Sequence, residues 1–315
     1  MRKALLLSVV AAMLLFACRK EHTASINPAL KKYKIAINVS NFSQFRANFA
    51  LRQHAFAVKP RHLADSIVSV GSYLDVLYYL VFDGNGNYLK TISQDSTMCD
   101  QFGLITDSLA SGNYFIAMAA GKSGMTSVAG INRIDSYYTY DKGFAWQDAF
   151  YAGFDLTVTN TPVSQTVTLH RSISKFELHV EDSIPQSANT IGLSLTPEFW
   201  NLSYNHGTLP VSTQNVGKDS VVYTIPASAK GHTGYTLDRL VSDTYGYYPT
   251  YAVITCWDAS NKIIAQKIIG GLIFMVNEKT ILSGKLFQGT STTGGQQSFT
   301  VKVDTAWGST NHISF

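Results

Sequence analysis

Residues 76–92 read VLYYLVF, DGNGN, YLKTI. An apolar run rich in β-formers gives way to a cluster of Asp, Gly and Asn, and then to a second β-rich segment. Gly and Asn accept the backbone angles of a tight reversal, so the pattern is strand, turn, strand. The period-two signal continues on both sides. Upstream, Tyr33, Ile35, Ile37 and Val39 alternate with Lys34, Ala36, Asn38 and Ser40, as in a half-buried strand. Downstream, LASGNY at 109–114 leads into FIAMAA; Gly112 is expected in a turn of positive φ and Tyr114 at the start of the next strand. FDLTV (154–158) and QTVTL (165–169) form a pair around Thr161-Pro162. The second half has the same texture in 173–180, 191–195, 220–225, 250–256, 262–269, 279–287 and 298–303. Strands at this spacing with turn residues between them predict an all-β chain of antiparallel β-sandwiches. Helical periodicity is scarce: 46–57 are expected as a short helix and 60–66 as a single helical turn. The stretch 121–149, with Gly121, Gly124, Gly130 and several Ser and Tyr, is expected to be irregular. One run of strands closes and another opens at His170-Arg171, dividing the body into sandwiches over 31–170 and 171–315.

The N-terminus has a different character. Arg2 and Lys3 precede an apolar run over 4–16, then Ala17 and Cys18. Charge, a short apolar segment and a small residue are the parts of a secretory signal, here 1–17. The apolar run is shorter than the roughly 20 residues a membrane-spanning helix needs. Leu15-Phe16-Ala17-Cys18 resembles a bacterial lipobox, in which the cysteine is acylated and the chain is cut before it; Phe16 departs from the usual small residue. Cys18 is therefore the expected lipidation site. Each buried CH₂ contributes about 0.8 kcal/mol, so two or more acyl chains (palmitate-like) anchor stably. Residues 18–30 are polar and aperiodic, as expected of a flexible tether. The net charge of +4 includes Arg2 and Lys3, and there is no basic cluster, so nucleic acid is not an expected partner. With Cys18 assigned to lipid, Cys99 and Cys256 are left either to pair or to stay as separate buried thiols.

Tests for chemistry are negative. Gly121-Lys122-Ser123 has the ending of a P-loop, but the earlier glycine is replaced by Ile116. GxSxG, HExxH and CxxC are absent. His170 and His179, if on one strand, are at odd spacing and face opposite ways. The remaining histidines (22, 54, 62, 206, 232 and 312) are scattered. Asp83, Asn85 and Asn87 match the first spacings of a calcium loop, but Tyr88 and Gln94 stand where Gly and Glu are required. No catalytic, metal or cofactor-binding residue is assigned, and the chain reads as a non-enzyme. Trp146, Trp200, Trp257 and Trp307 are isolated from one another, although aromatics can stack on sugars. Asp65-Ser66-Ile67, Asp107-Ser108-Leu109, Asp182-Ser183-Ile184, Asp219-Ser220-Val221 and Asp304-Thr305-Ala306, more loosely Asp95-Ser96-Thr97, resemble the O-glycosylation acceptor pattern of Bacteroidetes, and Asp-Ser is also ordinary turn chemistry.

Taken in order, several segments resemble the FimB/Mfa2-type fimbrial anchor lipoproteins of Bacteroidetes, which serve type V pili. They are the lipobox at Cys18, KYKIAINVSNF (32–42), LYYLVFDGNG (77–86), LASGNYFIAMAAG (109–121), VTLHRSISKFELHV (167–180), NEKTILSGKLFQG (277–289) and SFTVKVDTAW (298–307). The resemblance implies two tandem transthyretin-like β-sandwich domains. It implies a structural role as the lipid-anchored base of a fimbria in the outer membrane, joined to stalk or accessory subunits by strand exchange. Cleavage at Arg46, Arg52 or Arg61 would release the body from its lipid, so no such cut is expected. Contact through the second domain, including the tail 308–315, is the expected route to the partner. The competing reading is a surface glycan-binding lipoprotein that works beside polysaccharide importers. Exposed aromatic platforms would favour it.

Overall fold

The computed structural model describes residues 20–23, 31–43, 70–130, 133–138, 146–198, 201–205, 211–212, 220–242, 249–288 and 300–304. The two helices expected within 46–66, the signal segment with Cys18, and the tail 308–315 lie outside them. The chain is built of strands, with a short helix at Val70–Tyr73 and a 3₁₀ turn at Ala227–Ala229 among the described residues. It divides into two compact units: Met1–Ser123 with Tyr151–His170, and Gly124–Phe150 with Arg171–Phe315.

The first unit is organised around β1 (Lys20–Thr23), β2 (Lys32–Ser43), β3 (Val76–Asp83), β4 (Tyr88–Asp95), β5 (Leu104–Ala110), β6 (Gly112–Gly121), β9 (Ala149–Val158) and β10 (Val163–Arg171). Their order in the sheet is β1-β4-β3-β6-β9-β10-β2-β5. In β2, Ile35, Ile37 and Val39 are buried while Lys34 and Asn38 are exposed, so the alternation in the sequence is the alternation of the strand's faces. β2 runs parallel to β10 and antiparallel to β5. β3 lies between β4 and β6, antiparallel to both, and Tyr79, Leu80, Val81 and Phe82 are all fully buried. Burial on both faces explains why its apolar run is continuous rather than alternating. Each such side chain contributes about 1.5–3 kcal/mol by leaving water. Phe82 packs against Phe115 with ring centroids 5.8 Å apart.

The DGNGN segment is the expected hairpin turn. Asp83 accepts bonds from the backbone N–H of Asn85 (2.9 Å) and of Asn87 (2.8 Å), and from the Asn87 amide (2.9 Å), and Gly86 has a φ of 81°. The turn at 111–112 corrects one expectation: Gly112 opens β6 as strand and is not among the glycines of positive φ. Tyr114 does secure that turn, its hydroxyl donating to Ala110 O at 2.9 Å. Gly121-Lys122-Ser123 is a polar turn. The Ser123 N–H donates to Asp75 Oδ2 at 2.8 Å and Lys122 Nζ lies 3.7 Å from Asp75 Oδ1. The tether also needs correction. Lys20–Thr23 is a strand, β1, antiparallel to β4 with Lys20 opposite Ser93 and Thr23 opposite Lys90. A polar sequence suits an edge strand, whose side chains need not enter a core.

The second unit begins with a further correction. The stretch 121–149 contains a hairpin of β7 (Met125–Gly130) and β8 (Arg133–Tyr138), and it packs with the residues after 171, not with 31–123. β8 pairs with β13 (Asn201–Asn205), which pairs with β14 (Val211–Ser212). Inside this sheet Ser127 and Ser136 hydroxyls lie 2.8 Å apart, and Ser203 Oγ donates to Asp135 at 2.5 Å. Two other sheets face one common core: β16-β11-β19-β20 and β15-β12-β17-β18. Their members are β11 (Ser174–Val180), β12 (Ala188–Thr196), β15 (Ser220–Thr224), β16 (Tyr235–Val241), β17 (Thr250–Asp258), β18 (Ile263–Leu272), β19 (Lys279–Gly284) and β20 (Thr300–Asp304). Phe176, Leu178 and Val180 of β11 meet Ile191, Leu193 and Leu195 of β12 and Ile254 of β17. This is sheet-on-sheet packing. Cys256 is a free, buried thiol in this core, so Cys99 and Cys256 are not paired with each other. His170 and His179 fall on β10 and β11 respectively, not on one strand.

Candidate functional site

A protein that joins other β-subunits needs an accessible strand edge, because main-chain N–H and C=O groups left over at an edge can accept a further strand. In the second unit, β18 stands at one end of the order β15-β12-β17-β18. Its pairing with β17 places Ala265 opposite Cys256 and Ile263 opposite Trp257, with Ile264 skipped. That bulge shifts the strand by one residue, which turns Ile263 to the same outward face as Gln266 and Ile268. The result is an apolar outer surface on an end strand: Ile263 is 52% exposed and Ile268 is 68% exposed. Tyr251 on β17 is 54% exposed, and its ring lies so close to Gly270 that a Cβ there would meet Cε1 at 2.8 Å. On the opposite face of β18, Ala265, Lys267 and Ile269 point inward. Burial lowers the Lys267 pKa, and the Asp182 carboxylate partly opposes that shift. An inward-facing lysine is a common guard against uncontrolled pairing at an edge.

The sequence signal for this face was present in the doublets Ile263-Ile264 and Ile268-Ile269. A single-faced core cannot bury both members of an apolar doublet on a regular strand, so one must face out or a bulge must intervene. Cys18, the expected lipidation site, lies outside the described residues, as do Trp200 and Trp307. Trp146 is buried and bridges to Leu240, and Trp257 is half-buried. In the Asp-Ser motifs that are described, the aspartates are structural. Asp107 contacts Lys90, and Asp182 accepts the backbone N–H groups of Leu286, Phe287 and Gln288 at 2.7–2.9 Å, while Ser108 and Ser183 are exposed. Among the described residues no three His, Cys, Asp or Glu side chains converge as metal ligands, and no helix is long and apolar enough to cross a membrane.

Comparison with protein families finds one whose model matches residues 69–312: the fimbrillin-A associated anchor proteins Mfa1 and Mfa2. The chain belongs to this family. It is therefore a fimbrial protein, associated with the surface of the cell envelope. Comparison with curated proteins finds no match. Among solved structures, the fimbrial anchor protein Mfa2 from Porphyromonas gingivalis is similar in fold, with a TM-score of 0.51 at 11% identity over 90% of this chain and 100% of that one. A candidate polysaccharide-binding protein from Bacteroides thetaiotaomicron gives 0.52 at 13% identity, covering 90% and 98% of the two chains. A candidate adhesin from the same organism gives 0.51 at 11% identity, covering 92% and 100%. At these identities the structural matches speak for the shared all-β fold; the role rests on the family match.

Proposed function

We propose that this member of the fimbrillin-A associated anchor family is the lipid-anchored base of a fimbria, held in the outer membrane by acyl chains on Cys18. The family match over 69–312 is the observation that carries the reading. The position of β1 supports it. Two residue steps separate Cys18 from Lys20, a reach of at most about 7 Å, so the acylated residue would be tied almost directly to the sheet edge at β4. Load from a fimbria would enter the membrane through backbone hydrogen bonds between β1 and β4, with no long slack tether between body and lipid. Toward the next subunit, the end strand β18 with its outward Ile263 and Ile268 is the proposed acceptor of a strand from a stalk or accessory subunit.

Cys18→Ala is the direct test. Fimbriae released into the medium, with the body no longer in the outer-membrane fraction, are the expected result; fimbriae that remain on the cells would sink the anchor reading. Ile268→Asp tests the acceptor edge. Because Ile268 faces solvent, stability should change by no more than about 0.5 kcal/mol. Loss of co-purifying fimbrial subunits by a stably folded variant supports β18 as the joint. Undiminished recovery places the joint elsewhere, and retention on polysaccharide without those subunits would favour the glycan-binding alternative.

A further inference from the structure

The first unit buries an amine against a carboxylate. Lys90 lies on the inward face of β4 with Ile92, and Asp107 lies on the inward face of β5 between Ile105 and Leu109. Lys90 Nζ is in direct contact with Asp107 Oδ1, with the two side chains 3% and 1% exposed. The Tyr79 hydroxyl, on a fully buried ring, donates to Asp107 Oδ2 at 3.4 Å, and the Ser108 N–H donates to Oδ1 at 2.5 Å. Lys90 Nζ also donates to Ser108 O at 3.3 Å. Among the described ion pairs, this one alone combines an amine with a carboxylate and full burial of both. Lys122–Asp75, Lys175–Asp238 and Lys279–Glu177 are open to water, and Arg171–Asp148 and Arg239–Glu198 use guanidinium groups, which are poor nucleophiles.

We infer that Lys90 and Asp107 condense to an isopeptide bond. One proton passes from Nζ to Oδ1 along their contact, giving amine and acid. Nζ then attacks Cγ, the Nζ–Cγ bond forms and the Cγ–Oδ1 bond breaks. Oδ1 leaves as water carrying two protons that began on Lys90, and the third stays on the amide nitrogen. Oδ2 becomes the amide oxygen and keeps the Tyr79 hydroxyl. The same hydroxyl would stabilise negative charge on Oδ2 in the tetrahedral intermediate. No oxidant, cofactor or activated donor is needed. Two effects favour the step. Holding the groups in contact replaces a bimolecular encounter, equivalent to effective concentrations on the order of 10⁵ M or more. Conversion to a neutral amide also removes two buried charges whose desolvation is costly. β4 and β5 are not neighbours in the strand order, so the bond would covalently join strands that the sheet's hydrogen bonds do not link.

The inference stands apart from the fimbrial reading, and peptide mapping of the wild-type chain decides it. Lys90 and Asp107 lie in adjoining tryptic fragments, 62–90 and 91–122. With the bond present, the denatured, reduced chain yields 62–122 uncut after Lys90 and lighter by one water, with fragmentation placing the loss between positions 90 and 107. Lys90→Arg or Asp107→Ala restores cleavage and full mass. Cleavage after Lys90 in the wild type, or an uncut fragment at full sequence mass, overturns the inference without reference to how the variants fold.

Discussion

Arg171 holds Asp148 with two arms of its guanidinium: Nε is 2.7 Å from Oδ1 and Nη2 is 2.9 Å from Oδ2. The pair is nearly buried, Arg171 lies over the Phe150 ring at 5.3 Å, and its Nη1 reaches Asn277 Oδ1 at 3.4 Å. One side chain thus ties the segment before β9, the end of β10 and the turn before β19 together. Removing one partner strands the other charge. Arg171→Met is expected to destabilise the second unit by about 3 kcal/mol in denaturant unfolding. Arg171→Lys should recover little, because a single ammonium cannot make the paired contact. Full stability of either variant would show that the pair is dispensable.

Asp182 does a comparable job after β19. Its carboxylate accepts three consecutive backbone N–H groups, from Leu286, Phe287 and Gln288. Asp182→Ala leaves those donors without their acceptor, at a cost of about 2 kcal/mol. Amide exchange at 286–288 should accelerate more than at β12, with Asp182→Asn intermediate. Unchanged protection at 286–288 would argue against the carboxylate as the closure of this turn.

The Asp83 hairpin predicts an acid response. The Asn87 side-chain amide holds the Asp83 carboxyl below its ordinary pKa, burial opposes it, and backbone N–H groups of Asn87, Asn85 and Gly86 add to the lowering. The folded pKa lies below the unfolded value of about 3.9, so the contribution is fully present above that value and is lost as pH falls through the folded pKa. In a carboxyl NMR titration, Asn87→Ala should move the Asp83 midpoint upward. A midpoint that stays in place would mean that the amide is not the dominant cause.

Burial pushes the Cys256 thiol up to about 11. At pH 8 it is therefore protonated as well as enclosed. Thiol reagents should leave Cys256 unmodified in the folded chain and label it once denaturant is added. Rapid labelling without denaturant would mean that the β12–β17 core opens readily.

The local pattern was readable where one strand face meets one core. Ile35, Ile37 and Val39 alternate in sequence and in burial, and the Gly-Asn turn after Phe82 is where the chain reverses. The β7–β8 hairpin was not readable, because Ser127, Asp135 and Ser136 are buried at positions where apolar residues would ordinarily mark a strand. Those polar groups are satisfied by each other and by Ser203, which is 68 positions away from Asp135. No window of local sequence contains that partner. The candidate contact face was legible only in part for a related reason: the isoleucine doublets mark it, but Ile263 rather than Ile264 faces out because of a bulge that is set by pairing with β17.

The sequence by itself determined that this chain is all-β, where most strands begin and reverse, and that Cys18 follows a signal-like segment. Period two, turn chemistry and a charged apolar leader are local properties, each expressed within a few residues. Only the tertiary structure decided that Gly124–Phe150 joins the second unit, that Lys20–Thr23 lies on β4, and that Lys90 meets Asp107. These are pairings between distant segments, chosen by which edges are open and which buried polar groups find partners after the sheets have formed.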